Sequence, residues 1–176
     1  LRDTMVANLG VGLAAPQIGI SKRILVVKAT ALPSLDESQE IAGVCVLVNP
    51  DYEIIGDENF IWPEACLSVD GYTGDVSRHH DINLRYQDLA GKHINIQLAA
   101  AESGVIQHEY DHLDGRLFID LLPRFERNRV LKLLRRKIVK KKREKKAASS
   151  KHLAQLRRVA ARKKRKKRAP KKFGQR

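Results

Sequence analysis

The chain has 176 residues and a formal net charge of +14, which is enough length for one domain of ordinary size with an appendage. Its two cysteines, Cys45 and Cys66, are too few for a disulfide framework and favour a reducing compartment. No apolar run approaches the length of a membrane-spanning helix. These totals exclude a disulfide-stapled scaffold and a helical membrane protein.

The charge is divided sharply along the chain. Residues 124–176 contain 26 Lys plus Arg and only two acids, Glu126 and Glu144, for a net of +24. Residues 1–123 hold the remaining 8 basic and 18 acidic residues, for a net of −10. This asymmetry predicts that the basic part binds a polyanion while the acidic part has another task. We therefore predict two parts, an acidic body, residues 1–123, and a basic helical extension, residues 124–176.

The body begins with a helix-like spacing of apolar residues over Leu1 to Asn8. Because the chain starts inside this predicted helix and without a methionine, we expect a leading segment to precede it in the full protein. The segment from Gly10 to Gly19 is rich in glycine and small side chains, which suits a loop whose backbone lies close to another group. Taken alone, the segment is more typical of a plain packed turn.

Short strands are expected through the middle of the body, with an irregular stretch between them at Phe60 to Ser68. The predicted strands are Arg23–Ala29, Val44–Asn49, Tyr52–Ile55, Asp75–Arg78, Asn83–Gln87 and His93–Leu98. A helix is predicted over Ala99 to Leu113, with Gly115 as its left-handed cap. The fold expected is therefore α+β, with antiparallel strands around one central helix.

This central helix contains the sequence Gln107-His108-Glu109-Tyr110-Asp111-His112. His108 and His112 lie four residues apart, so both imidazoles leave the same helix face and can bind one metal ion. Glu109 then lies beside the ion without ligating it. A carboxylate in that place can take a proton from a metal-activated water and pass it to a leaving group.

A catalytic site of this kind needs a third protein ligand and one open position. The candidates are Cys66, a downstream Asp or Glu, or another histidine. His79, His80 and His93 are each more typical of ordinary surface histidines. Cys66 is the better candidate because it lies in the segment expected to be irregular, whereas Cys45 is flanked by valines and reads as a core residue. A thiolate ligand favours ferrous iron or zinc.

Three separated segments together resemble the peptide deformylase family. They are Gly10-Val11-Gly12-Leu13-Ala14-Ala15-Pro16-Gln17, then Glu64-Ala65-Cys66-Leu67-Ser68, then Gln107-His108-Glu109-Tyr110-Asp111-His112-Leu113-Asp114-Gly115. Their order and spacing fit as well as their letters, and the resemblance covers most of residues 1 to 144. It implies the deformylase fold and hydrolysis of N-formylmethionyl peptides on nascent chains, with release of formate.

The resemblance also implies a role for each matching position. Cys66, His108 and His112 would hold one divalent metal ion, Fe²⁺ in the usual case, with Zn²⁺, Ni²⁺ or Co²⁺ able to replace it. Glu109 would be the general base and acid. Gln17, through its side-chain amide, and Leu67, through its backbone N–H, would stabilise the oxyanion. Substrate-binding residues would be Val11, Gly12, Glu64 and Ala65.

The sequence departs from the family pattern at two positions. Ala65 stands where the family commonly has glycine; if that position needs a positive φ, alanine costs about 1 kcal/mol and tilts the thiolate. Thr73 stands where the family often has an arginine, so it cannot supply a guanidinium to pair with Glu64 or reach a substrate. These departures favour one alternative, a structural ribosomal component that keeps the fold without the turnover.

The extension is too basic for internal charge pairing and predicts binding to phosphate backbones. Because deformylases act on nascent chains at the ribosome, the resemblance implies ribosomal RNA as the partner. Its RNA-binding candidates are Lys140, Lys141, Lys142, Arg143, Arg162, Lys163, Lys164, Arg165, Lys166, Lys167 and Arg168. An amphipathic helix is expected from Phe125 to Ile138, with a second short helix around Leu153 to Val159. The alternative is a solvated, flexible end.

Two further expectations concern reaction class and location. A zinc endopeptidase can carry the same helix motif, but the Cys66 ligand and the Gly10 to Gln17 segment argue against it. Formylated initiation occurs in bacteria and their descendant organelles, and the long basic extension favours a ribosome-associated protein of an organelle matrix. The mitochondrion is the first choice, with a plastid or the bacterial cytoplasm as alternatives.

Overall fold

The computed structural model describes residues 1–35 and 40–168, and the side chains at 148–149 and 152–168 lie outside that description. The helices are α1 (Arg2–Ala7), α2 (Ala100–Leu113) and α3 (Arg124–Arg168). The strands are β1 (Gly12–Ala14), β2 (Ile24–Lys28), β3 (Glu40–Ile41), β4 (Val44–Ala65), β5 (Thr73–Gln87) and β6 (His93–Ala99). Short 3-10 turns occupy Ala15–Ile18, Ala29–Ala31, Leu67–Val69 and Phe118–Asp120.

The strands form one antiparallel sheet in the order β1-β2-β4-β5-β6, with β3 paired to β4. Apolar side chains of β2, β4, β5 and β6 point to one face, where they pack with Ile106 of α2. Because alternate residues of a strand face opposite sides, Leu13, Val26 and Val44 lie on the other face, where they form a second buried apolar cluster with Met5 of α1. The α+β class and the central helix are confirmed.

One long strand replaces several predicted pieces. β4 runs without interruption through the stretch that we expected to be irregular, and only Cys66 to Ser68 lies beyond its end. Its register against β5 shifts between Val48 and Asp51 and between Ile55 and Asn59, which places irregularities beside Pro50 and Gly56. Such bulges let a strand continue past a proline or glycine that would otherwise end it. The prediction of separate short strands here was wrong.

α2 begins one residue later than predicted and ends as expected. Its last backbone bonds run to Asp114 and Gly115, and Gly115 has a φ of 73°. Arg116 N then donates to Asp111 O at 2.8 Å, which turns the chain back toward the helix. The left-handed glycine therefore ends α2 just after His112 and directs the following residues to the same end of the helix.

α3 is a single helix, so the prediction of a separate second helix around Leu153 was wrong. The chain divides into two compact units, Leu1–Val130 and Leu131–Arg176. Val130 is buried, whereas Phe125 is 79% exposed and Ile138 is 53% exposed. The predicted boundary at residue 123 stays a prediction.

Among the described residues, no helix has the length and hydropathy needed to cross a membrane.

Candidate metal centre and active site

α2 and the end of β4 bring three candidate ligand side chains together. His108 and His112 lie one turn apart on α2, and their ring centroids are 4.9 Å from each other. Cys66 follows directly after β4, and its Sγ lies 3.3 Å from Nε2 of His112. The ligand atoms of the three residues all lie within 4.8 Å of one another. This is the ligand set that the sequence predicts.

Each histidine ring is held through the nitrogen that does not face the cluster. His108 Nδ1 donates to Glu64 Oε2 at 2.6 Å, and His112 Nδ1 donates to the carbonyl of Arg116 at 3.0 Å. These bonds leave the lone pair on Nε2 of each ring available to coordinate a metal ion. The Arg116 carbonyl is available because the chain turns back at Gly115.

A buried charged network lies behind His108. Arg78 of β5 donates to both oxygens of Glu64, at 2.6 and 3.0 Å, and to Oδ2 of Asp111 at 2.7 Å. Glu64 is only 2% exposed and Arg78 only 5%. Burial raises the pKa of Glu64, but bonds from His108 and Arg78 outweigh it and lower that pKa overall. Glu64 is thus an ionised carboxylate that orients the His108 ring.

The electrostatics of the cluster favour a bound cation. Burial raises the pKa of the Cys66 thiol, but His108 and His112 together lower it to about 5. Burial lowers the pKa of His108, but Cys66 and Glu64 raise it to about 10. Both shifts reflect mutual stabilisation, because the imidazoles favour the thiolate form of Cys66 and the negative groups favour the protonated form of His108. A cation bound there would contact the Cys66 thiolate and the imidazole of His108, whose other nitrogen is bonded to the Glu64 carboxylate.

The donor set therefore fits a divalent transition metal. One thiolate and two imidazoles suit zinc or ferrous iron rather than magnesium or calcium, which prefer oxygen ligands. Three protein ligands also leave a further position open, as catalytic sites require. His79, His80 and His93 do not join this cluster in the described part of the chain.

Glu109 lies beside the ligands and is 5% exposed. Its Oε2 is buried and has no hydrogen-bond partner among the described residues. Burial raises the pKa of Glu109 to about 7, although His108 and His112 act in the opposite direction. Its carboxylate also lies against Gly12 of β1. A carboxyl group with a near-neutral pKa and one unbound oxygen can accept and return a proton.

Gln17 reaches the cluster from the 3-10 turn that follows β1. Its Oε1 accepts from the backbone N–H of Ala14 at 2.8 Å, which fixes the amide. Its Nε2 points to Cys66 Sγ at 3.7 Å and donates to Ser68 Oγ at 3.1 Å. Ser68 N also donates to Cys66 Sγ, at 3.4 Å. A fixed amide donor therefore lies next to the metal ligand.

The predicted substrate-binding residues occupy two different environments. Val11 is exposed, and Gly12 borders Glu109. Ala65 is exposed at the last position of β4, and it is not among the described residues with a positive φ. Glu64, in contrast, has both oxygens engaged inside the protein. Its position suits support of His108 rather than contact with a substrate.

The predicted RNA-binding residues lie on α3. Lys140, Lys141, Lys142 and Arg143 are all exposed, and Lys140 makes only a loose 4.0 Å pair with Glu144. The candidates from Arg162 to Arg168 belong to the same helix, but their side chains lie outside the described part of the structure.

Three residues of the site were missed from the sequence: Arg78, Asp111 and Gln107. Asp111 lies inside the helix motif, one turn from Gln107, and that spacing was the available signal. The sequence signal for Arg78 was weaker, since it is only a lone arginine on the apolar side of a predicted strand. Its pairing with Glu64 replaces the one that Thr73 could not make.

Comparisons with known proteins agree with this geometry. A family model described as polypeptide deformylase matches residues 1–128. The peptide deformylase of Bartonella tribocorum is 37% identical over 135 residues, which cover 77% of this chain and 74% of that protein. Peptide deformylase 1 of Streptomyces coelicolor is 42% identical over 125 residues, covering 68% of this chain and 57% of that protein.

Solved structures show the same relationship. The crystal structure of peptide deformylase from Ehrlichia chaffeensis has a TM-score of 0.65 and 36% sequence identity, covering 77% of each chain. A peptide deformylase from Plasmodium falciparum has a TM-score of 0.67 and 34% identity, covering 80% of this chain and 78% of that one. The family match covers the sheet, α2 and all three ligands. The chain belongs to the polypeptide deformylase family and is a metal-dependent peptide deformylase.

Proposed function

We propose that the cluster of Cys66, His108 and His112 is the centre at which this chain hydrolyses the formyl group from N-formylmethionyl nascent peptides. The observation that supports this most directly is Glu109. Its buried carboxyl group has one oxygen without a partner and a pKa raised to about 7, and it lies beside the ligand cluster. Hydrolysis of an amide needs a group of this kind to move a proton.

A divalent ion held by the three ligands supplies Lewis acidity, which makes water a usable nucleophile at neutral pH. Fe²⁺ is our choice, because the family resemblance implies it and a ligand set of thiolate and imidazoles suits it. Glu109 takes the proton from the attacking water and returns it to the nitrogen of the leaving methionine. Formate and a free amino terminus result.

Two donors meet the negative charge that develops on the formyl oxygen. Gln17 offers Nε2, whose direction is fixed by the bond between Oε1 and Ala14 N. Leu67 offers its backbone N–H at the start of the 3-10 turn after Cys66. Donors held in place before the reaction stabilise an oxyanion without reorganisation.

The substrate lies between β1 and the end of β4 in this proposal. Val11 and Gly12 border one side, and Ala65 borders the other with an exposed position next to the Cys66 ligand. Glu64 holds His108 in place from behind.

An inactive structural component was favoured by two sequence departures, and the geometry weakens the arguments about Ala65 and about the pairing of Glu64. Ala65 does not have a positive φ, so its side chain brings no backbone strain. Arg78 supplies the guanidinium that pairs with Glu64. Arg78 therefore replaces the missing arginine as the partner of Glu64, which supports the enzyme over the inactive component.

Substrate choice separates a deformylase from an endopeptidase. The metal-loaded protein is incubated with formyl-Met-Ala-Ser and with an unformylated peptide of similar length. The proposal predicts release of formate from the first and an intact second peptide. Cleavage of the internal peptide bond alone would make the endopeptidase the better description.

The second part of the proposal is that α3 tethers the enzyme to ribosomal RNA. The support is charge: residues 124–176 carry a net of +24 against −10 in the body, and Lys140 to Arg143 are exposed on a helix. Neutralising phosphates releases counterions, so such binding is strong at low salt and weakly sequence-specific. We place the protein on an organelle ribosome, in the mitochondrion first, because the extension is long and basic.

A further inference from the structure

Gln107 is a buried amide whose hydrogen bonds join α2 to β5. The side chain is 2% exposed. Its Oε1 accepts from the backbone N–H of His79 at 3.1 Å, and its Nε2 donates to the backbone carbonyl of His79 at 2.8 Å. The second Nε2 hydrogen is directed to Ser103 Oγ at 2.7 Å, and Ser103 Oγ itself donates to the His79 carbonyl at 2.8 Å. Every polar atom of the amide is therefore engaged.

The position of His79 in the sheet explains what its two bonds with Gln107 do. β6 pairs with β5 as far as Ala99 opposite Asp81, and α2 begins at the next residue, Ala100. His79 lies just beyond this last pair, where β6 no longer covers the edge of β5. An antiparallel partner residue would accept from one backbone N–H and donate to the carbonyl of the same residue. The side chain of Gln107 makes that pair of bonds.

We propose that Gln107 is a positioning residue: it takes the place of a strand partner at His79 and so fixes the height and rotation of α2 at which His108 and Glu109 face the metal centre. This inference rests on the proposed function, since it concerns the same reaction. Gln107 does not touch the ligand cluster or any proposed substrate residue through a hydrogen bond.

A second tie on the same face of α2 strengthens the argument. Ser103, Gln107 and Asp111 are spaced by four residues, so they form one stripe along the helix. Asp111 accepts from Nη1 of Arg78, the residue next to His79 on β5. The side chains of the stripe therefore bond to two consecutive residues of β5, Arg78 and His79. His108 and His112 each follow a member of the stripe directly, so a rotation of α2 would displace both imidazoles together.

The test is Gln107→Met, which keeps the length of the side chain and removes both bonds to His79. We expect kcat per bound metal to fall roughly 10- to 100-fold, the range for residues that orient metal ligands. KM for formyl-Met-Ala-Ser should stay unchanged, because the residue is buried away from the substrate. In the Co²⁺-loaded protein the visible absorption bands should shift, since they report ligand geometry. The His79 amide should exchange with solvent faster than in the parent.

Gln97→Met is the matched control, since Gln97 is exposed on β6; it should leave all four readings unchanged. A Gln107→Met protein that melts earlier but keeps kcat and its cobalt spectrum would show a purely structural role and overturn the proposal. If this variant does not fold, Ser103→Ala is the second test, because it removes the hydroxyl that accepts from Gln107 Nε2. A lower kcat at constant KM would support positioning, and an unchanged kcat would contradict it.

The failure of this inference can be told from failure of the proposed function. An inactive, metal-loaded parent would remove the proposed function, and the cobalt spectrum of the variants would still test the positioning. An active parent with an equally active Gln107→Met protein would remove the positioning alone.

Discussion

The carboxylate of Glu109 lies directly against the backbone of Gly12. A Cβ built on Gly12 would come within 2.7 Å of both Cγ and Cδ of Glu109, and closer still to Oε1. Real Cβ atoms do not approach other atoms so closely, so any side chain at residue 12 would force the Glu109 carboxylate or β1 to shift. Gly12 thereby sets how near the proposed base comes to β1.

Gly12→Ala should therefore displace Glu109. A methyl group cannot be accommodated without moving the carboxylate or separating β1 from α2. We expect kcat to fall roughly 100-fold, the cost of misplacing a reacting group by about 1 Å. Metal content, measured by elemental analysis, should remain near that of the parent because Gly12 does not hold a ligand. Full activity in a folded Gly12→Ala protein would show that Glu109 has another position during turnover.

Arg78→Met should strongly destabilise the protein. It leaves Glu64 and Asp111 buried without their common cation, and breaking a buried ion pair from one side costs about 3–5 kcal/mol. The free energy of unfolding of the metal-free protein, from urea titration at pH 7, measures this.

Arg85→Met is the matched control on the same strand. Arg85 pairs with Asp51 and Glu53 at an exposed position, where solvent screens the charges and the loss of stability should be small. Equal losses of stability for the two variants would mean that burial does not govern the Arg78 network.

The metal-free protein should contain one unusually acidic thiol. His108 and His112 outweigh burial and lower the pKa of Cys66 to about 5, whereas burial raises the pKa of Cys45. Ultraviolet absorbance of the thiolate should therefore appear as pH rises through about 5, and one thiolate should be present at pH 7. Cys66→Ser should remove this step and Cys45→Ser should keep it. A first step above pH 8 would contradict the charge distribution described for the site.

Removing Lys140 to Arg176 should abolish salt-sensitive binding to ribosomes and leave turnover of short formyl peptides intact. A finer variant replaces Lys140, Lys141, Lys142 and Arg143 with glutamine. If these four contact phosphates, the slope of log affinity against log salt should fall by about 3. Binding is measured by co-sedimentation across a range of salt concentrations. Retained binding after the deletion would refute the tether.

The centre was accessible from the sequence because its parts are local. Four-residue spacing alone places His108 and His112 on one helix face, and Gly115 marks the helix end. Cys66 was found through its immediate neighbours. These features depend on a few consecutive residues, so they need no knowledge of how distant segments pair.

The residues that hold the candidate ligands in place could not be predicted from local sequence patterns. Arg78 meets Glu64 and Asp111 only because β4 and β5 pair in one register, and the bulges in β4 shift that register. Pro50 and Gly56 suggested breaks in what is one strand. The role of Gln107 likewise depends on where β6 leaves β5. Long-range pairing decides these contacts, and short-range patterns do not encode it.

The most direct test of the account compares the parent with Glu109→Gln. Both proteins are purified without oxygen, loaded with ferrous iron, and assayed for formate released from formyl-Met-Ala-Ser. Glu109→Gln should bind the same amount of iron, because Glu109 is not a ligand. Its turnover should be roughly 100- to 10,000-fold slower than that of the parent, the scale of a lost general base. Equal turnover by the two iron-loaded proteins would contradict the role assigned to Glu109.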